Sequence, residues 1–223
     1  MRRASPLDVY EQLHAHHGDQ RWWPAESPFE MMIGAILTQN TRWENVEMAI
    51  SNLKKANMLN PESMLSCEPE QLEELIHPTG FFRQKAKRLI EFSRFFTAHG
   101  GTEGLKRWPT KALRARLLTI NGIGPETADS ILLYAFDKMV FVVDAYTKRI
   151  FSRLGMIKAS MNYEEIQNYF IQRLPGLPQL YQEYHALIVQ QGKCNCSAKP
   201  RCDDCPLFEL CSSAAETDRL SEL

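Results

Sequence analysis

Two stretches of this sequence combine residue types and spacings that could do chemistry. Cys196-x5-Cys202-x2-Cys205-x5-Cys211 gathers four thiols close to the end of the chain. Four thiolates can hold a zinc ion or a [4Fe–4S] cluster, and Cys194 is near enough to replace Cys196 as first ligand. Five of the six cysteines fall within residues 194–211, a clustering that reads as a metal site and not as a disulfide framework. The second stretch is Gly122-Ile123-Gly124-Pro125, with Asp144 following 20 residues after Gly124. A Gly-x-Gly turn lets backbone amides approach a ligand, because neither glycine carries a Cβ. At a helix start those amides and the dipole favour an anion such as phosphate. The same turn also suits an ordinary helical hairpin, so the pattern alone leaves both readings open.

The elements that would position these residues read as helices. Ser5-Pro6-Leu7-Asp8 opens one through about His16, with a capping serine and a proline at the first position. Ser27-Pro28-Phe29-Glu30 opens another through about Thr38, and others are expected from Trp43 to Ala56, from Pro61, from Pro69 to Ile76 and from Phe82 to Ala98. Thr110 begins the helix that enters the Gly-x-Gly hairpin. Beyond Asp144, helices fit from Tyr146 to near Gly155, from Tyr163 to Leu174 and from Pro178 to Gln191. Val140–Val143 alone is strand-like and too short for a sheet, which makes the chain all-α. His14, His16 and His17 read as a solvated helix end, since no carboxylate or cysteine partner for His14 and His17 is evident nearby in the sequence.

With 223 residues, 44% hydrophobic and 24% charged, the composition is that of an ordinary globular protein. The net charge of −1 gives no general attraction for nucleic acid, so such binding must rest on a local patch. No secretory or membrane-spanning pattern is recognisable, and the expected compartment is the cytoplasm.

The hairpin, the aspartate and the four-cysteine loop, in that order, resemble the endonuclease III superfamily of DNA glycosylases, the helix-hairpin-helix proteins with a Gly/Pro-rich loop and an aspartate. The resemblance spans about Ser27 to Cys211. It implies a two-lobed helical fold: a six-helix barrel with the hairpin over residues 26–139, an iron–sulfur lobe from 1–25 and 140–211, and a polar, frayed tail at 212–223. It further implies a monomer acting on damaged double-stranded DNA at the nucleoid, with the DNA bound across the cleft between the lobes. It favours a [4Fe–4S] cluster over zinc on Cys196, Cys202, Cys205 and Cys211. Two details depart from the family: Asp137-Lys138-Met139 lacks the proline usual before the aspartate, and the first cysteine spacing is one residue short if Cys196 is the ligand.

Members that also cleave the strand carry a lysine two residues after the second glycine. Here that place is Glu126, and a carboxylate cannot form a Schiff base; lyase activity is expected to be absent or weak, with Lys148 the one nearby substitute amine. Trp22-Trp23-Pro24, the run Ala35–Glu44 containing Trp43, and Gly124-Pro125-Glu126 are similar to the bacterial 3-methyladenine branch. That likeness implies a base pocket of Trp22, Trp23, Pro24 and Trp43, with Asp144 and Glu126 as the acids of the reaction. The superfamily resemblance implies that Gln39 fills the gap left by a flipped nucleotide and that the amides near Gly122 and Gly124 grip a phosphate; Phe81 reads as a wedge from the other side or as a core residue, and Lys148 as a DNA contact or a solvated charge. The expected activity is monofunctional removal of alkylated purines. The alternatives are a related glycosylase for oxidised pyrimidine, uracil or mismatched thymine, and a non-catalytic iron–sulfur DNA-binding protein.

Overall fold

In the computed structural model, residues 4–214 are described, and among them every regular element is helical. They form two compact units. Residues 23–138 hold α2 (Pro28–Leu37), α3 (Trp43–Lys55), α4 (Pro61–Ser66), α5 (Pro69–Ile76), α6 (Phe82–Ala98), α7 (Gly101–Lys106), α8 (Thr110–Leu117) and α9 (Pro125–Ser130). Residues 4–22 with 139–214 hold α1 (Pro6–His17), α10 (Ala145–Arg153), α11 (Tyr163–Ile171) and α12 (Pro178–Cys194).

The start signals act as the sequence implies. Proline occupies the first turn of α1, α2, α4, α5, α9 and α12, where its missing N–H costs nothing and its fixed φ suits a helix. The side chains of Ser5, Ser27, Asn60, Asp144 and Asn162 each accept a backbone N–H from the first turn. Helix α2 is buried on every side, and α6 packs against α2, α4 and α5. In the other unit α12 packs on α1 and α10, and the buried Tyr184 hydroxyl donates to the Pro6 carbonyl at 2.6 Å.

Two local features differ from the sequence-based expectation. Helix α7 is not among the expected elements: after α6, Gly100 takes the left-handed turn (φ 78°) and the chain restarts as a helix at Gly101. Val140–Val143, expected to be too short for a sheet, is buried and pairs with no strand among the described residues, in agreement with that expectation. Its environment is side chains: the Gln167 amide donates to the Phe141 carbonyl at 2.7 Å, and the Phe141 ring stacks on Phe170 with centroids 4.2 Å apart. The expected frayed tail begins docked, because the Ser212 and Ser213 hydroxyls donate to the carbonyls of Leu154 and Arg153 at 3.2 Å each. The remainder of that tail lies outside the described residues.

The Gly-x-Gly hairpin joins α8 to α9, and an ion pair spans it. Arg114 on α8 meets Asp129 on α9 through Nε at 2.7 Å and Nη2 at 3.1 Å, and Asp129 is wholly buried. Ile120 and Ile123 pin the turn into the core. Removing the guanidinium strands a buried carboxylate, so Arg114→Met is expected to lower unfolding stability by roughly 2–3 kcal/mol; partial exposure of Arg114 reduces the cost below that of a fully buried pair. Urea unfolding checks this, and a loss below about 0.5 kcal/mol, the size of an ordinary surface change, would show that the pair does not hold the hairpin.

Candidate functional site

Asp144 is the N-cap of α10. Its Oδ1 accepts both the Thr147 backbone N–H and the Thr147 hydroxyl, each at 2.7 Å, which fixes the side-chain rotamer. Its Oδ2 faces His185 Nε2 of α12 at 3.8 Å, with both side chains almost fully buried. Burial holds the His185 ring below its ordinary pKa, while the Asp144 carboxylate pulls the other way. Lys148, one turn along α10, donates to the Met161 carbonyl at 3.1 Å.

The hairpin glycines differ in what they require. Gly122 has φ 80° and a Cβ there would overlap the Arg88 guanidinium, so both the backbone angle and the space demand glycine. Gly124 has an ordinary extended backbone as N-cap of α9, and a Cβ there would meet nothing within 4 Å. Gly124 and Glu126 are both exposed, with Glu126 in the first turn of α9. Gln39 reaches this hairpin: its Nε2 donates to the Gly122 carbonyl at 2.9 Å and the Thr127 hydroxyl at 2.8 Å, and its Oε1 accepts from Arg88. Phe81 is 64% exposed, which excludes a core role, and it stands at φ 47°, a strained angle for a bulky aromatic residue.

None of the three expected tryptophans belongs to the hydrophobic core; Trp22, Trp23 and Trp43 are half-buried and Pro24 is exposed. Trp22 falls in the unit that contains Asp144, whereas Trp23, Pro24 and Trp43 fall in the hairpin unit. The Trp23 ring meets Trp43 edge-on at 5.4 Å and Tyr134 at 5.5 Å. Tyr134 sits where the helix after α9 widens to π pitch, over Ile131–Ala135, a distortion that often re-aims a side chain at a functional site. Gly34 lies beneath the indole; a Cβ there would come within 3.2 Å of Trp23 Nε1. Trp23, Pro24, Gly34 and Trp43 border a cavity of about 350 Å³ that Glu30, Glu47 and Lys54 also line.

The four expected cysteines, Cys196, Cys202, Cys205 and Cys211, line one cavity of about 60 Å³, and Cys194 is not among its walls. Cys194 instead accepts a hydrogen bond from the Gln190 amide at 3.2 Å. Arg153 of α10 donates to Cys196 Sγ at 3.1 Å and to the Ser197 carbonyl at 2.7 Å, and Arg149 donates to the Cys196 carbonyl at 2.8 Å. The Gln191 amide donates to Cys205 Sγ at 3.2 Å. Donors of this kind favour thiolate sulfur, so the set fits a thiolate-held metal group. Among the described residues, the ligand atoms that meet within 4.8 Å are those of His14, Asp19 and Glu183, not the cysteine sulfurs. The expectation that His14 lacks a nearby carboxylate partner is corrected here, because it bonds Asp19 at 2.8 Å, whereas His17 bonds the Gln191 amide oxygen at 2.9 Å.

Sequence reading passed over His185, Arg88, Tyr134 and Arg153. Each is an ordinary helical residue whose importance lies in a neighbour distant in the chain, and no spacing rule exposes that.

Comparison with known proteins adds to this geometry. Residues 33–175 match the HhH-GPD superfamily base excision DNA repair proteins. A provisionally named DNA repair glycosylase of Methanocaldococcus jannaschii is 50% identical over 208 residues, covering 92% of this chain and 94% of its own. Endonuclease III of Thermotoga maritima is 33% identical over 186 residues, covering 82% of each. The structure of H. pylori 3-methyladenine DNA glycosylase bound to 1,N6-ethenoadenine superposes with a TM-score of 0.75 at 32% identity, over 85% of this chain and 98% of that one. The chain therefore belongs to the HhH-GPD superfamily of base excision DNA repair proteins, as a DNA glycosylase of the endonuclease III type.

Proposed function

We propose that this glycosylase is monofunctional and hydrolyses the N-glycosidic bond of alkylated purines such as 3-methyladenine in double-stranded DNA, acting as a cytoplasmic monomer. The observation that carries the reading is the pairing of Glu126, a residue without an amine at the start of α9, with the aromatic corner of Trp23, Trp43 and Tyr134. An alkylated purine is cationic and leaves readily, so little leaving-group protonation is needed. Aromatic faces attract such a ring by about 0.5–2 kcal/mol, a preference that neutral adenine cannot use. The likeness to a 3-methyladenine glycosylase with an etheno-purine bound supports the same substrate class.

Reaction at C1′ requires the nucleotide to leave the stack. Asp144 then supplies negative charge to the developing oxocarbenium ion and orients or deprotonates the attacking water. Its capped Oδ1 serves the helix, which leaves Oδ2 for the chemistry. The hairpin amides around Gly122 and Gly124 grip a phosphate, Gln39 fills the vacated gap, and Phe81 wedges the stack. Pro24 belongs to the base pocket with Trp23 and Trp43, and Lys148 contributes a phosphate contact.

Cys196, Cys202, Cys205 and Cys211 would hold a [4Fe–4S] cluster. Their sulfurs line one cavity, and the likeness to endonuclease III favours the cluster over zinc there. The cluster supplies a rigid anchor for the loop that Arg149 and Arg153 hold against α10.

Three measurements test this reading. Wild-type protein is expected to release 3-methyladenine from methylated duplex DNA, and Asp144→Asn to slow release about 10³-fold with DNA affinity nearly unchanged. Excision of oxidised pyrimidines without any alkylpurine release would overturn the substrate class. Borohydride should trap no enzyme–DNA adduct, and an adduct lost in Lys148→Met would identify that amine as a lyase nucleophile. Iron and acid-labile sulfide should be present in Cys194→Ser and lost in Cys196→Ser; the reverse pattern would make Cys194 the ligand.

A further inference from the structure

Gln39 and Phe81 lie in loops far apart in the chain, yet the structure gives them one internal anchor. Lys85 in α6 is a lysine with 1% of its surface exposed. Its Nζ donates to the Leu37 carbonyl at 2.8 Å and to the Thr79 carbonyl at 2.9 Å. Leu37 is the last residue of α2, where a helix leaves carbonyls without intrahelical partners and its dipole favours a cation. Thr79 closes the 3₁₀ turn that delivers Gly80 and Phe81.

Two left-handed residues lie within three positions of these carbonyls: Asn40 at φ 53°, which asparagine tolerates, and Phe81 at φ 47°, which strains a bulky aromatic residue. Left-handed backbone at non-glycine residues persists only where the surroundings over-determine it. One turn after Lys85, Arg88 donates to Gln39 Oε1 and occupies the space beside Gly122. The first two turns of α6 therefore touch the Gln39 loop, the Phe81 turn and the hairpin. A buried ammonium is a costly way to fill a core, and an apolar side chain would avoid that cost. Burial, assisted by Arg88, draws the Lys85 pKa down to about 8, so at neutral pH the group remains mostly charged and its bonds to both carbonyls are charge-assisted.

We propose that Lys85 is a positioning residue of the glycosylase, a buried strap that fixes the Gln39 loop and the Phe81 turn relative to each other so that both engage the duplex in register. The proposal rests on the reading of Gln39 and Phe81 as DNA-probing residues.

Hydrogen exchange on DNA-free protein tests the strap. Lys85→Met should raise exchange by about tenfold in residues 38–42 and 79–82 together while α3 and α8 keep their protection. Arg88→Met should loosen residues 38–42 and leave 79–82 protected. Unchanged exchange in either loop of Lys85→Met, or uniform loosening of the whole unit, overturns the strap. If Lys85→Met does not fold, the two bonds are read in wild type from scalar couplings between Lys85 Nζ and the carbonyl carbons of Leu37 and Thr79; absence of either coupling overturns it. Single-turnover base release by Lys85→Met should fall roughly 10–100-fold, as expected of misplaced groups, with affinity for undamaged duplex within about twofold. Equal losses of rate and affinity, or no loss of rate, overturn the positioning role. A wild-type protein that releases no base overturns the glycosylase reading instead, and the exchange pattern still judges the strap.

Discussion

The hydrogen bonds from Thr147 to Asp144 are the constraint on which the chemistry proposed for this chain depends. A carboxylate free to rotate would spread its charge over several rotamers and solvate itself. Bonding Oδ1 to both the backbone N–H and the hydroxyl of Thr147 makes the same side chain begin α10 and hold one orientation. The capping bonds commit one oxygen and leave the other facing His185. Electrostatic stabilisation is effective when the charge is already in place before the reaction begins, and here the helix start performs that placement. The far end of α10 is fixed as well, because Arg149 and Arg153 hold the cysteine loop. One nine-residue helix thus connects the acid to the thiol-rich segment.

A similar economy governs the hairpin unit. Its recognition residues sit in short turns, which by themselves would sample many conformations. Arg114 and Asp129 bind the two helices flanking the hairpin, while Gln39 and Arg88 fasten the turn from outside. The Gln39 amide nitrogen is engaged with the hairpin and its oxygen with Arg88. In the role proposed for it, filling a gap in a duplex would require exchanging the Gly122 carbonyl and the Thr127 hydroxyl for partners on the DNA, which couples the hairpin to the plug.

Much of the helical framework was legible in the sequence, for local reasons. Ser5, Ser27, Asn60, Asp144 and Asn162 are small polar caps, and the prolines that follow several of them mark first turns; such signals act within four residues. The all-α class followed from them. That Val140–Val143 is too short for a sheet was legible, whereas the rings from α11 and α12 that pack on Phe141 there were not. The aromatic corner was half legible: Trp23 and Trp43 stood out by type, whereas Tyr134 depends on a π turn that no residue pattern announces. Lys85 and His185 illustrate the opposite difficulty. A lysine and a histidine in amphipathic helices read as surface residues, and only the tertiary packing reveals that both are buried.

Gly34 makes the aromatic corner adjustable. The indole of Trp23 rests over a residue with no side chain, at a distance that a methyl group would just contest. The floor of the cavity is therefore set by the smallest substitution available to a protein, on the rigid and wholly buried helix α2. One added carbon there would press on the Trp23 ring and force it to shift by a few tenths of an ångström, reshaping the cavity that Trp23 and Trp43 border without changing either of them. If that cavity is the base pocket proposed above, its shape can be tuned from a position beneath its wall.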